Sequence, residues 1–154
     1  MNKVILSLGS NLGHREQHLS DAIDALSSHD QIQITAVSSD YENSAVSNFS
    51  QPDFINKAIQ ITTFLTPDEL LETTETIEKK LGRISKEHRD PRNIDIDIIF
   101  YNNDIISTDR LVIPHPLMHE RLFVLDPVSE IAPEWIHPIL EETVTSLKSQ
   151  LDGY

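Results

Sequence analysis

The segment Ile94-Asp95-Ile96-Asp97-Ile98 sets two carboxylates among three β-branched residues. Such residues favour a strand, and side chains alternate across one, so Asp95 and Asp97 share one face and the isoleucines the other. Two residues at strand rise put the two Cα atoms about 6.5–7 Å apart. Carboxylates that close repel unless they are solvated or bridged by cations. Hard oxygen donors of this kind suit Mg2+, which commonly takes one or two carboxylates together with substrate phosphate oxygens. A bare Asp-x-Asp is more often the wet face of an ordinary amphipathic strand. The neighbours tip the balance. Arg83, Arg89 and Arg92 precede the pair, and Arg110, His115 and Arg121 follow it, so that Arg15 alone of the arginines lies outside 83–121. A guanidinium fork binds two phosphate oxygens at once. Acids for a metal, flanked by arginines for phosphates, are the parts of a phosphoryl-transfer site.

Other candidates carry less. Lys79, Lys80, Arg83, Lys86, Arg89 and Arg92 crowd one stretch, which is either a solvated helix end, where cations favour the C-terminal dipole, or a local anion site. His115 is held between Pro114 and Pro116, rigid enough for a fixed donor to phosphate, although a lone histidine is more often only a surface residue. Pro116 keeps His115 and His119 from sharing a helical face, so no histidine pair has metal-ligand spacing. Glu75 and Glu78 share a helical face, for which solvent is the expected surrounding. No G-x-x-x-x-G-K-[ST], G-x-G-x-x-G or G-x-S-x-G motif occurs.

The elements that must position these residues follow from periodicity. Residues 3–8 read as a buried strand ended by Gly9-Ser10-Asn11, and Leu19, Ala22, Ile23 and Leu26 mark a helix over 14–28. Ile32, Ile34 and Ala36 alternate in a half-exposed strand over 31–40, residues 42–53 have loop chemistry, and Ile55 to Phe64 alternates again. Thr66-Pro67-Asp68-Glu69 is a helix start, with an N-cap, a first-turn proline and a capping box, and Gly82 is its stop. Ile94 to Tyr101 is the strongest strand, and an Asn102-Asn103 turn is expected to return it to a short partner at Ile105-Ile106. Pro114, Pro116, Pro127, Pro133 and Pro138 then break the chain into short pieces before a last helix over 141–151. The order β-α-β-β-α-β predicts an α+β fold, a ferredoxin-like antiparallel sheet flanked by helices, in a single domain over 1–154.

Composition sets the outer limits. The chain has 154 residues, 38% of them hydrophobic, long enough for a core of its own. Twenty-five acids against twelve Lys and Arg give a net charge of -13. That balance opposes sequence-independent binding to nucleic acid. No apolar run suits a membrane span and no signal peptide is visible at the start, so a cytoplasmic protein without membrane contact is expected. Cysteine is absent, which excludes disulfides and thiolate chemistry. A monomer is the default expectation.

These motifs, in order, resemble one family. Gly82-Arg83, then Pro91-Arg92-Asn93-Ile94-Asp95-Ile96-Asp97-Ile98, looks like the signature of 6-hydroxymethyl-7,8-dihydropterin pyrophosphokinases. Gly9-Ser10-Asn11-Leu12-Gly13, Gln51-Pro52-Asp53-Phe54-Ile55-Asn56, Arg110 to Pro116, and Glu120 to Pro127 are similar to its other landmarks, so that the likeness runs along nearly the whole chain. The resemblance implies transfer of pyrophosphate from ATP to the hydroxymethyl group of 6-hydroxymethyl-7,8-dihydropterin, with release of AMP, in folate biosynthesis. It implies two Mg2+ ions on Asp95 and Asp97, with Arg83 and Arg92 as further catalytic residues. Glu78, Arg92, Ile98, Arg110, His115 and Arg121 would serve ATP, with Glu78 near the adenosine. Asn43, Ser44, Ala45, Phe54, Asn56 and Phe123 would serve the pterin, stacked between Phe54 and Phe123. The segments 83–92 and 43–50 would close over the substrates.

The chain also departs from the pattern. Ser85 stands where the family usually has a second arginine, Arg89-Asp90 replaces an aromatic and a glycine, and 43–47 lacks the usual proline and glycine. Lost aromatic cover over the nucleotide, and the negative charge of Asp90 beside a phosphate site, leave open a paralogue that binds nucleotide or pterin without efficient transfer. A two-metal nuclease is a third possibility, which the net charge opposes.

Overall fold

The computed structural model describes residues 1–11, 14–43, 54–82 and 94–152. At its centre is β1 (Asn2–Ser10), antiparallel to β4 (Phe54–Thr63) on one side and to β5 (Asp95–Tyr101) on the other. The outer edge of β4 carries β2 (Ile32–Val37) along one half and β3 (Tyr41–Asn43) along the other. Taking β2 and β3 as one interrupted edge strand, the sheet order β2-β4-β1-β5 is the expected ferredoxin-like one. The short β3 was not foreseen, because Glu42 and Asn43 read as the start of the loop.

One face of the sheet is apolar throughout. Val4, Leu6 and Leu8 of β1, Ile59 and Ile61 of β4, and Ile94, Ile96 and Ile98 meet Leu19, Ala22 and Leu26 of α1 (Arg15–Ser27) and Leu70, Leu71 and Ile77 of α2 (Pro67–Lys80). Helix α2 starts as its residues demand. Thr66 accepts from the Glu69 backbone N–H at 3.2 Å, and the Glu69 carboxylate accepts from that of Thr66 at 2.9 Å. Gly82, with φ of 105°, supplies the left-handed turn just past its end. Lys79 and Lys80 sit exposed in the last turn, where cations favour the C-terminal dipole.

The opposite face changes character along its length. At one end Ile5, Ala58, Ile99 and Phe100 pack under α3 (Leu122–Ile131) and α4 (Val144–Asp152) through Val124, Leu125, Val128, Val144 and Leu147. A bulge between Leu6 and Ile5 places Ile99 and Phe100, though consecutive, on this same side. At the other end the face carries Ser7, Gly9, Asn56, Asp95 and Asp97, and among the described residues only the start of α3 borders it.

Two expectations need correction. Pro114, Pro116, Pro133 and Pro138 do fall between helices and strands, but Pro127 does not break the chain: α3 holds it inside. An internal proline costs a helix roughly 3 kcal/mol, a cost offset here by burial of Val124, Leu125, Pro127 and Val128. The strand after Asn102-Asn103 is β6 (Ile106–Ser107), and it pairs with β7 (Val112–Ile113) instead of returning along β5. Asn102 does turn the chain, at φ 49°, but its backbone N–H and side chain bond back to Lys3 and Asn2 of β1.

Candidate active site

Register explains why the polar end of the sheet is a site. Gly9 lies between Asn56 on β4 and Asp95 on β5, and Ser7 between Ala58 and Asp97 in the next row. Residues level with one another across a sheet point to the same side, so the amide of Asn56 and both carboxylates open into one space. Phe54 stands two residues before Asn56 on that face. The start of α3 supplies the facing wall through Phe123 and Val124, with Arg121 just before it and His115 from the segment after β7. Together with Ile99 these residues enclose a cavity of about 190 Å3.

Local packing holds each of them. Asn56 is 5% exposed, and its Oδ1 lies over Gly9, where a Cβ would stand only 2.9 Å away. The Arg121 guanidinium sits 5.5 Å from the centre of the Phe123 ring, a cation over an aromatic face. His115 donates its backbone N–H to the Ile99 carbonyl at 3.1 Å. Its ring Nδ1 accepts from the Leu117 backbone N–H at 3.3 Å, which leaves Nε2 as the donor nitrogen of the neutral ring.

The structure therefore brings together Phe54, Asn56, Asp95, Asp97, His115, Arg121 and Phe123. Other expected site residues lie elsewhere. Ile98 points to the opposite face and packs in the core under α1 and α2. Arg110, half-exposed, pairs with Glu72 and Glu75 of α2 at 3.7 and 3.9 Å and does not reach the cavity wall. Glu78 is not in solvent as expected. It is 2% exposed, and its Oε2 accepts the Ile96 backbone N–H of β5 at 2.8 Å. Glu75, its neighbour on the helix face, does remain partly exposed. Asn43 ends β3 opposite Phe54. Ser44, Ala45, Arg83 and Arg92, with Ser85, Arg89 and Asp90, lie outside the described residues. Sequence reasoning missed Ser7, Ile99 and Val124 in the cavity wall, and it left Gly9 as a strand stop. A glycine inside a strand pattern, a mark of close approach, was the signal for Gly9.

A model of the family described as 7,8-dihydro-6-hydroxymethylpterin-pyrophosphokinase (HPPK) matches residues 5–133, and that span holds every residue of the cavity wall. The chain belongs to this family. Among HPPK relatives, the 2-amino-4-hydroxy-6-hydroxymethyldihydropteridine pyrophosphokinase of Bacillus subtilis is 41% identical over 152 residues, covering 99% of this chain and 88% of that protein. The folic acid synthesis protein FOL1 of Dictyostelium discoideum is 45% identical over 150 residues, 97% of this chain but 22% of that protein. A Plasmodium falciparum HPPK-DHPS chain solved with pteroate superposes with a TM-score of 0.77 at 17% identity, over 97% of this chain. This chain spans 42% of the solved one, and the likeness there is one of fold.

Proposed function

We infer that the chain transfers the pyrophosphoryl group of ATP to the hydroxymethyl oxygen of 6-hydroxymethyl-7,8-dihydropterin and releases AMP, a step of folate biosynthesis. The observation that carries the reading is the shared cavity: Asp95 stands in the same row of the sheet as the buried amide of Asn56, with Asp97 in the next row, between aromatic walls. A flat heterocycle with an amide-like edge suits Phe54, Phe123 and Asn56, because aromatic rings stack and a buried Asn both donates and accepts. A polyphosphate suits Arg121 and the Nε2 side of His115.

Mg2+ fits the donor set. Among the described residues no group of three or more His, Cys, Asp or Glu side chains converges. Asp95 and Asp97 therefore offer a cation two carboxylates, and water and phosphate oxygens would complete its shell, which is the usual habit of Mg2+. Two ions are the proposed number. Bound there, Mg2+ would neutralise phosphate charge and hold the phosphate chain in line for attack. The side chains do the rest by position. The aromatic walls and Asn56 hold the hydroxymethyl oxygen near the β-phosphorus, and Arg121 and His115 stabilise charge on the phosphate oxygens as the new O–P bond forms and the bond to the AMP oxygen breaks.

Further assignments belong to the same proposal. Arg83 and Arg92 act on the phosphates, and Asn43, Ser44 and Ala45 border the pterin. Glu78, Ile98 and Arg110 serve ATP: Glu78 on the adenosine side from behind β5, Ile98 through its main chain, and Arg110 after leaving Glu72 and Glu75. Segments 43–50 and 83–92 close over the substrates and exclude water. Residues 1–154 are read as one catalytic domain. A monomer is the proposed working unit. No helix among the described residues is long and apolar enough to cross a membrane, and ATP as co-substrate supports a cytoplasmic setting.

The deciding experiment is AMP release from ATP and Mg2+ with and without 6-hydroxymethyl-7,8-dihydropterin. AMP release that depends on the pterin is expected. A folded chain that binds ATP yet releases no AMP would overturn the reading.

A further inference from the structure

The two walls of the cavity belong to different layers. Phe54 and Asn56 stand on β4, and Phe123 on α3. Beside the cavity the two layers pack directly, Ala58 of β4 against Val124, Leu125 and Val128 of α3, while Ser7, Gly9 and the carboxylates line the cavity between its walls. A tie lies behind the site, where Glu130 of α3 meets the strand that borders β4. Its Oε1 accepts the Tyr41 hydroxyl at 2.7 Å. Both of its oxygens accept the Ser39 backbone N–H at 3.1 Å, and Oε2 also accepts the Ser39 hydroxyl at 3.2 Å. One carboxylate thus gathers three donors from the start of β3.

The tie is aimed at the site from both ends. Tyr41 is level with Asn56 and Asn43 with Phe54, so β3 runs beside the two residues of the β4 wall. Glu130 lies seven residues after Phe123 in α3, almost two turns, and therefore on the same helical face. Pro127 between them has no N–H to give the Phe123 carbonyl, so the helix ladder alone holds Phe123 less firmly than usual. Further contacts secure β3. The Ser38 hydroxyl accepts the Ala58 backbone N–H at 2.9 Å, and Lys57 pairs with Asp40 at 2.9 Å.

We propose that Glu130 is a positioning residue for the pterin: by holding Ser39 and Tyr41 against α3, it sets the spacing between the Phe54–Asn56 wall and the Phe123 wall. The role rests on the pterin reading of the cavity given above. The charged groups around the carboxylate agree with an ionised clamp. Lys57 favours its charge, Asp126 of α3 is itself paired with Lys148 of α4 at 3.3 Å, and the Tyr41 and Ser39 hydrogen bonds hold Glu130 below the usual carboxylate range.

The test compares Glu130→Ala and Glu130→Gln with the unaltered chain in KM for each substrate, kcat, melting temperature and amide exchange at Ser39. Glu130→Ala should raise the pterin KM about tenfold, the scale of losing charge-assisted hydrogen bonds. The ATP KM and kcat should stay within about twofold if only the slot has widened, and exchange at Ser39 should quicken. Glu130→Gln keeps one acceptor oxygen and should recover part of the loss. An unmoved pterin KM with normal turnover overturns this role alone. Equal rises in both KM values with a lowered melting temperature also overturn it, since the clamp would then be only structural. An unaltered chain without pterin-dependent AMP release overturns the reading of the cavity, and this role with it.

Discussion

Gly9 and Asn56 approach so closely across β1 and β4 that a methyl group on Gly9 would stand 2.9 Å from the Asn56 side-chain oxygen. The contact joins the middle of the sheet to the polar wall of the cavity. Only a residue without a side chain lets the amide lie flat there.

Gly9→Ala therefore separates site from fold. Alanine is easier than glycine to hold in a strand by roughly 0.5–1 kcal/mol, so the melting temperature should hold or rise slightly. The Asn56 amide must rotate away, and pterin affinity should fall about tenfold, a cost near 1.4 kcal/mol. Calorimetric titration with the pterin, with and without an ATP analogue, checks this. Unchanged pterin affinity would remove Asn56 from the pterin contact.

Asp97 is level with Ser7, and its side chain faces the cavity without filling a core position. Asp97→Ala should leave the circular dichroism spectrum and unfolding midpoint close to those of the parent chain. Turnover should fall at least a hundredfold, since a carboxylate that holds a metal supports several kcal/mol of charge stabilisation. A Mg2+ titration of the residual rate should shift to higher concentration. Full activity would remove the carboxylate pair from the mechanism.

Glu78 shows a different dependence, of a buried acid on a strand edge. Glu78→Ala leaves the Ile96 N–H without its acceptor, at a cost of about 1–3 kcal/mol. Ile96 sits between Asp95 and Asp97, so the same loosening should lower turnover along with stability. Glu78→Gln retains an acceptor oxygen and should recover most of the melting temperature. If Glu78 served ATP directly, the ATP KM would rise for both variants while the melting temperature stayed put.

What was legible in the sequence was local. Thr66 to Glu69 specified its capping box without help from the rest of the chain, and the alternation of Ile94 to Ile98 put both carboxylates on one face. What was not legible depends on registers between distant strands, as in the meeting of Gly9 with Asn56, or on burial that overrides a local rule. Pro127 argued against α3 until Val124, Leu125 and Val128 were seen packed on Ile5, Ala58 and Ile99. Glu78 and Glu75 share a helical face, and only the position of the β5 edge decides that one is buried and the other half in water.

His137 gives the chain a pH dependence of known sign. It is 4% exposed, edge-on to Phe100 at 5.9 Å and to His119 at 6.2 Å, and its Nδ1 accepts the backbone N–H groups of Ile139 and Leu140 at 3.2 and 3.0 Å. Burial, and secondarily the neighbouring His119, hold its pKa below the ordinary histidine value. In the unfolded chain the ring takes a proton at higher pH than it does in the fold. Its contribution to stability is therefore whole above the unfolded value and declines as pH falls towards the folded one. The melting temperature should accordingly drop as the pH is lowered below about 6.5, the ordinary histidine value. His119→Gln removes the like charge and should make that drop shallower, while His137→Gln should abolish this component at the cost of a lower melting temperature at neutral pH. Melting curves across the acid range check both, and a His137→Gln chain that retains the full acid drop would assign it to other groups.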